Sequence, residues 1–464
     1  MFPHFWEHTV GGSHANMALR ADWQKQLTRC SKDLGFKHVR FHGILSDDMY
    51  TLSEKNNKII YSFFNIDQIC DFLLSIGMRP FMELSFMPRA ISSGSDTVFS
   101  YKGNVDPPRD YNAWGKLISH LITHLIKRYG IGEISQWFFE VWNEPNLKAF
   151  WKGSQEDYFN LYQYTAKAIK KVNTVLCVGG PATANNKWIV DFLKFCKKNN
   201  VPVDFISTHH YPTDSFGKPG DDTITKLSES KRSILHEEAK KVNEQAEDKP
   251  VYYTEWCTSS NPFDNLHDQP YAAAFIVKTV IEARGLVKGY SYCTFSDIFD
   301  ENYFSSVPFH GGFGLMNING IPKAAYRAFE LLHRLGNEIL TVAGEHGTAD
   351  AWITRNSDEI TIMITNWALP RHKIKTEKVG LCLGNIREIK SVFIERIDDD
   401  HANAVKVWKD MGAGDGLSSD EVEKLENASR LVKEIFDHEY KDDCAFIEVA
   451  VPPQGIAFLT LTLI

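Results

Sequence analysis

Two glutamates stand where short apolar runs end. Glu144 follows WFFEVW in the stretch WNEPNL, and Glu255 closes VYYTE in TEWCTS. Two carboxyl groups held across a cleft can cut a glycosidic bond: one protonates the departing oxygen, and the other attacks the anomeric carbon or activates a water. That division of labour needs two different environments. Glu144, close to Trp142 and Pro145, is expected to be partly desolvated and so kept protonated. Glu255, placed among hydrogen-bond donors, would stay ionised and nucleophilic. Singly, each motif has an ordinary alternative, a turn for Asn-Glu-Pro and an ion pair for a strand-end glutamate. Together, at matching ends of two strands, they point to a catalytic pair.

Such a pair needs a frame that brings distant strand ends to one place. From residue 4 to about residue 336 the chain alternates apolar runs with helical patterns, as repeated βα units do. The runs are HFWEHTVGG, HVRFHGIL, RPFMELSFMP, QWFFEVWN, LCVGGPAT, DFISTHHYP, VYYTEWC and GYSYCTFSD, eight in all. Between them, residues 112–129 carry Trp114, Leu117, Ile118, Leu121, Ile122 and Leu125 at helical spacing and stop at Gly130. Ser154 with Asp157 forms a capping box ahead of the next helix, and Pro322 suits the first turn of the last one. Eight such units predict an α/β fold of the (β/α)₈ TIM-barrel type, whose catalytic groups sit at the C-terminal strand ends. Glu144 and Glu255 fall on the fourth and seventh strands, across the mouth from each other. No GxGxxG or Walker pattern follows a strand, so nucleotide chemistry is disfavoured. After about residue 340 the period changes to alternation, with Ile360, Ile362 and Ile364 and then Leu459, Leu461 and Leu463 between polar residues. We therefore expect a catalytic barrel over 1–338 and a β-sandwich-like accessory domain over 339–464, with a short helix capped by Ser418 and Glu421 inside GDGLSSDEVEKLENAS.

A formal net charge of −8 argues against a nucleic-acid partner. No segment reaches membrane-spanning length, and MFPHFWEH lacks the apolar stretch of a signal peptide. The eight cysteines show no metal-binding spacing, which fits reduced thiols and a cytoplasmic setting. Neither a metal nor a cofactor is expected, and the sequence leaves the oligomeric state open. An aromatic content of 12% suits a cleft that binds sugars.

WNEPNLKAFW and YYTEW, with HGIL, ELSFMP, STHHYP and PFHGGFGLMN, resemble family 39 of the glycoside hydrolases, in particular its β-xylosidase branch. FIERIDDDHANAVKVWKDMG is similar to the matching segment of those enzymes, so the resemblance covers nearly the whole chain. It implies a retaining, exo-acting β-D-xylosidase that releases xylose from xylo-oligosaccharides by double displacement, with Glu144 as acid/base and Glu255 as nucleophile. Asn143 is then placed to hydrogen-bond the sugar 2-hydroxyl, and His42 a further hydroxyl. His209 and Tyr211 would line the sugar site, Tyr211 against the nucleophile, while His210 alternates to the opposite face. Glu301 matches a residue that binds sugar hydroxyls, and Phe86, Trp151 and Phe313 are expected to wall the cleft.

One departure stands out. Where the β-xylosidases typically read YWTFSD, this chain has Tyr292-Cys293-Thr294, and Cys257 stands where relatives often carry Asn. The loss of a Trp at Cys293 either opens the pocket or leaves Tyr292 or Phe295 to refill it. An opened pocket would suit a retaining glycosidase or transglycosidase for another sugar, such as an arabinopyranoside. A carbohydrate-binding barrel without catalysis is a third alternative, disfavoured because both glutamates are present.

Overall fold

The computed structural model describes residues 2–56, 58–213, 222–386, 388–441 and 444–464. Eight parallel strands form a closed barrel in chain order. They are β1 (Thr9–His14), β2 (His38–His42), β3 (Arg79–Leu84), β4 (Phe138–Val141), β5 (Cys177–Thr183), β6 (Phe205–His209), β7 (Val251–Trp256) and β8 (Gly289–Tyr292), with β8 closing on β1. Each apolar run named above supplies one of them. Parallel neighbours need a crossover, and eight principal helices provide the outer layer. These are α1 (Ala21–Leu34), α2 (Phe64–Ser75), α3 (Tyr111–Tyr129), α4 (Gln155–Val172), α5 (Ile189–Lys198), α6 (Ile234–Gln245), α7 (Pro270–Glu282) and α8 (Ala324–His333).

Local sequence sets the helix limits. The apolar stripe of α3 is wholly buried, and the helix stops at Gly130, whose φ of 80° lies in the left-handed region. Ser154 and Asp157 make the reciprocal capping box of α4. Pro322 is a correction. It precedes Lys323, the N-cap of α8, and so lies outside the helix. The backbone is extended there, and the Lys323 ammonium turns inward to Asp268 at 2.7 Å and Asp297 at 2.6 Å.

The barrel interior is layered. Phe81, Phe138, Phe205 and Tyr252 plug its N-terminal end together with the stacked pair His8 and His38. Gly179 makes room for this plug, since a Cβ there would stand 2.5 Å from the Phe205 ring. The opposite end is polar and carries the site described below.

Beyond the barrel lie two antiparallel sheets packed face to face. The larger runs Glu338–Leu340, β9 (Ala349–Asn356), β10 (Glu359–Asn366), β14 (Gly455–Leu463), β12 (Ile389–Ile397) and Glu434–Ile435. The smaller orders β11 (Glu377–Gly384), β13 (Cys444–Val451) and Glu439–Lys441. Alternation makes their common core: Ile360, Ile362, Leu459 and Leu461 of one sheet meet Val379, Ile447 and Val449 of the other. The capped helix also forms, over Ser419–Ala428, and its Glu426 pairs with Arg29 of α1 at 2.6 Å. Trp367 packs on Phe275 of α7, ring centres 5.6 Å apart, and Arg232 reaches Asp350 at 2.5 Å, so the sandwich is seated on the barrel. Among the described residues no helix is long and apolar enough to cross a membrane.

Candidate active site

The polar end of the barrel is built by irregularities at strand ends. The pairing of β6 with β7 slips between Thr208 and His209, and that of β7 with β8 slips between Tyr253 and Trp256. Such bulges re-aim side chains, and here Thr254 and Glu255, neighbours in sequence, both meet groups inside the barrel. After β4 the backbone takes positive φ at Trp142 (71°) and Glu144 (41°). Trp142 turns its ring outward against Trp151 and Trp114, while Glu144 stays at the mouth, anchored by its own N–H to the Ala182 carbonyl at 2.8 Å. The desolvation expected for Glu144 is present. At the barrel mouth the residue is 7% exposed.

Glu255 is surrounded by donors. Arg40 Nη1 lies 2.8 Å from Oε1, Tyr211 donates to Oε2 at 3.0 Å, and His42 Nε2 stands 3.3 Å from Oε1. Burial alone would raise its proton affinity, but its charged and hydrogen-bonding neighbours, His42 and Arg40 among them, hold the carboxyl well below the usual carboxylate range. Arg40 is the hub: its guanidinium also reaches Glu140, Glu83 at 2.8 Å and Asn143 Oδ1 at 3.0 Å. Because arginine can only donate, Asn143 turns its oxygen to Arg40, and its NH₂ group is not used in that contact.

Glu144 has different company. Its Oε1 faces His209 Nδ1 at 2.9 Å, and His209 Nε2 faces the Thr254 hydroxyl at 3.1 Å. One oxygen of Glu144 and one of Glu255 lie within 4.8 Å of each other. Among the described residues, Glu144, His209 and Glu255 form one of two clusters that could surround a cation, the other being His4, Glu7 and His333 at the barrel's far end. Both nitrogens of His209 already have hydrogen-bond partners, and Glu255 is neutralised by Arg40, so the first cluster reads as a proton-handling site rather than as metal ligands.

A narrow pocket beside Glu255 is lined by Gly11, Arg40, His42, Cys293, Phe299 and Glu301. His42 bonds Glu83 at 2.6 Å and stands 3.5 Å from Glu301. Burial, reinforced by Glu255 and Asp300 and opposed by His42, pushes the Glu301 carboxyl up to about 8. The loops after β3 and β8 meet over this end: Ser100 N–H donates to the Glu301 carbonyl at 2.8 Å, and the Ser100 hydroxyl to that of Asp300.

The aromatic walls differ from expectation. Phe86 and Trp151 are fully buried, Phe86 behind His42 and Trp142, Trp151 between Trp142 and Tyr158. Phe313 backs Phe299 edge-on at 5.7 Å, and it is Phe299 that faces the pocket. Tyr292 and Phe295 do not refill the space at Cys293, since Tyr292 packs on Phe329 and Phe295 on Trp23, both outside the barrel. Cys293 itself lines the pocket, and burial pushes its thiol well above the ordinary range. Cys257 is not at the pocket. It is fully buried, and although burial raises a thiol, His267 and the Tyr292 hydroxyl at 3.2 Å hold this one below its ordinary value. His210 faces Glu238 of α6, away from the site.

Sequence reasoning missed Arg40, Glu83, Glu140, Thr254 and Phe299. A signal existed for the first three: each is a charged residue inside an apolar strand run, HVRFH, FMEL or FFEV, where an unpaired charge would be prohibitive.

The comparisons agree with this geometry. The family model described as glycosyl hydrolases family 39 matches residues 1–440. A protein named beta-xylosidase from Caldicellulosiruptor saccharolyticus is 52% identical over 435 residues, covering 93% of this chain and 89% of its own. A second beta-xylosidase, from Geobacillus stearothermophilus, is 38% identical over 439 residues, 91% of this chain and 86% of its own. The crystal structure of a monomeric beta-xylosidase from Caulobacter crescentus CB15 superposes with a TM-score of 0.88 at 31% identity, covering 100% of this chain and 98% of that one. With a family model spanning the barrel and most of the sandwich, and relatives of this identity over this length, the chain belongs to family 39 of the glycosyl hydrolases.

Proposed function

We propose that the protein is a retaining, exo-acting β-D-xylosidase that releases xylose from the ends of short xylo-oligosaccharides. The observation that carries the mechanism is the approach of Glu144 and Glu255 to within 4.8 Å. Retaining enzymes hold their carboxyl groups about 5–5.5 Å apart, whereas inverting ones need a gap wide enough for water. Surroundings divide the roles. Glu255, paired with Arg40 and accepting from Tyr211, is ionised and attacks the anomeric carbon. Glu144, which faces the His209 imidazole and has no arginine or lysine partner among the described residues, gives its proton to the leaving oxygen and later takes one from water. Asn143 supplies an N–H to the sugar 2-hydroxyl, a contact that tightens as the anomeric centre flattens. The Ser100 strap meets Glu301 on the His42 side of Glu255, which supports binding at the end of a sugar chain.

The xylose assignment is supported by the two relatives named beta-xylosidase. Proton NMR of the hydrolysis of a nitrophenyl β-xyloside tests the mechanism. β-Xylose should form first and then mutarotate, and α-xylose as the first product would overturn the retaining assignment. A panel of nitrophenyl glycosides tests the sugar, with an arabinopyranoside preferred over the xyloside as the overturning result.

A further inference from the structure

A chain of four side chains runs behind Glu144, and its hydrogens can be counted. Glu140 is fully buried and accepts at both oxygens, from Arg40 at Oε2 and from the Thr254 hydroxyl at Oε1 (2.7 Å). A carboxylate paired with a guanidinium brings no hydrogen of its own. The single hydroxyl hydrogen of Thr254 is therefore spent on Glu140, and towards His209 Nε2, 3.1 Å away, Thr254 can only accept. His209 must then carry its hydrogen on Nε2. In the neutral imidazole the opposite nitrogen, Nδ1, then presents a lone pair to Glu144 Oε1 at 2.9 Å, with Glu255 Oε2 next at 3.5 Å. Glu255 is already paired with Arg40 and held ionised, so it brings no hydrogen to this contact. The hydrogen in the short contact has one remaining source, the Glu144 carboxyl.

We infer that Glu140 and Thr254 act through His209 as positioning residues that fix which way this chain of hydrogen bonds points, and so keep the catalytic proton on Glu144. This rests on the reading of Glu144 as the acid. In the first step the proton leaves Glu144 for the glycosidic oxygen as that oxygen keeps the electron pair of the breaking bond to carbon. The new carboxylate then faces the Nδ1 lone pair, an unfavourable pairing that makes it a stronger base towards water in the second step. Thr254 and Glu140 never touch the sugar. Their effect is on proton delivery, which matters most when the leaving group is a poor one.

Two measurements test this. In enzyme labelled with ¹⁵N-histidine, with the His209 signals identified by their loss in His209→Gln, Nε2 should show a protonated, pyrrole-type shift at neutral pH and Nδ1 a pyridine-type shift. The reverse tautomer, or two pyrrole-type nitrogens, overturns the inference. In kinetics, Thr254→Val frees the imidazole to turn its hydrogen towards Glu144. Its kcat on xylobiose should fall by about 10- to 10²-fold, and far less on a dinitrophenyl xyloside, while Thr254→Ser restores both. Equal losses on the two substrates would mean that Thr254 only packs, and would overturn the inference too. If the wild-type enzyme cleaved neither substrate, the functional proposal would fail, and the tautomer measurement would still decide this one.

Discussion

The two ends of the barrel use the same residue types to opposite effect. His38 and His42 sit on one strand, four positions apart. At the closed end His38 stacks on His8 among phenylalanines, and burial pushes both imidazoles down, His8 to about 3. At the mouth His42 is just as buried, yet Glu83 at 2.6 Å and Glu255 at 3.3 Å outweigh desolvation and push it well above its ordinary value. Burial sets the penalty for a charge, and the neighbours decide whether it is met. The aromatic end stabilises the fold by removing apolar surface from water. The charged end offers little of that: a buried ion network often contributes less than apolar side chains of the same volume would. Its worth is catalytic, because it fixes one carboxyl as an anion and leaves its partner free to exchange a proton.

The largest effects should come from breaking that asymmetry. Glu255→Ala removes the carboxylate that attacks the anomeric carbon, so the loss should be on the order of 10⁴-fold or more with every leaving group. Glu144→Ala should lose about 10²–10⁴-fold on xylobiose and much less on activated aryl xylosides, whose departure needs little protonation. Azide should restore turnover in Glu144→Ala by replacing the water that the variant cannot activate. Leaving-group dependence in Glu255→Ala instead would reverse the two roles.

The contrast between the two ends should also appear as two opposite slopes of stability against pH. The native chain keeps His8 neutral down to about pH 3, whereas the unfolded chain takes up a proton near 6.5. Stability from this group is therefore present above 6.5 and drains away as the pH falls towards 3, at up to about 1.4 kcal/mol per pH unit. His42 has the opposite sign. Its folded form holds a proton above 6.5, so its contribution is full below that value and is lost as the pH rises through its raised pKa. Urea denaturation across pH measures both. His8→Phe, which keeps the stacking, should flatten the acid slope and leave the alkaline one, and His42→Gln should do the reverse. Identical slopes in the wild type and both variants would mean that neither imidazole is perturbed as described.

How much of this could be read from the chain follows from distance along it. The strands were legible because a parallel strand buried on both faces is a local run of apolar residues, as VYYTEW and FISTH are. Glu144 and Glu255 were legible because each ends such a run. Arg40 was not, because its roles depend on closure of the barrel, which brings it to residues 100, 103 and 215 positions away. Thr254 looked like an ordinary strand residue, and only the bulge beside it places both Thr254 and Glu255 in the interior. The aromatic walls failed for a related reason. A strand-end aromatic such as Phe86 or Trp142 is carried outward by the backbone, and the ring that reaches the pocket, Phe299, comes from a loop whose path no periodicity announces.

The smallest expected effect belongs to Glu301, where the two kinds of environment meet. Its carboxyl is buried like the imidazoles of the closed end but lies within the charged network of the mouth. Burial and the nearby Glu255 and Asp300 raise it to about 8, and His42 at 3.5 Å does not fully compensate. At neutral pH it is therefore an uncharged acid with one O–H to donate, able to give a hydrogen bond to one sugar hydroxyl while accepting from another. As the pH rises through about 8 that donor is lost, and a second negative charge appears beside the nucleophile. KM for a xyloside should then rise by roughly 2- to 12-fold, the equivalent of one hydrogen bond worth 0.5–1.5 kcal/mol. Glu301→Gln keeps an N–H donor at every pH and cannot ionise. Its KM should be flat from pH 7 to 9 where the wild-type value climbs. An alkaline rise that persists in Glu301→Gln would assign the titration to another group, with His42, whose proton affinity is also raised, the next to examine.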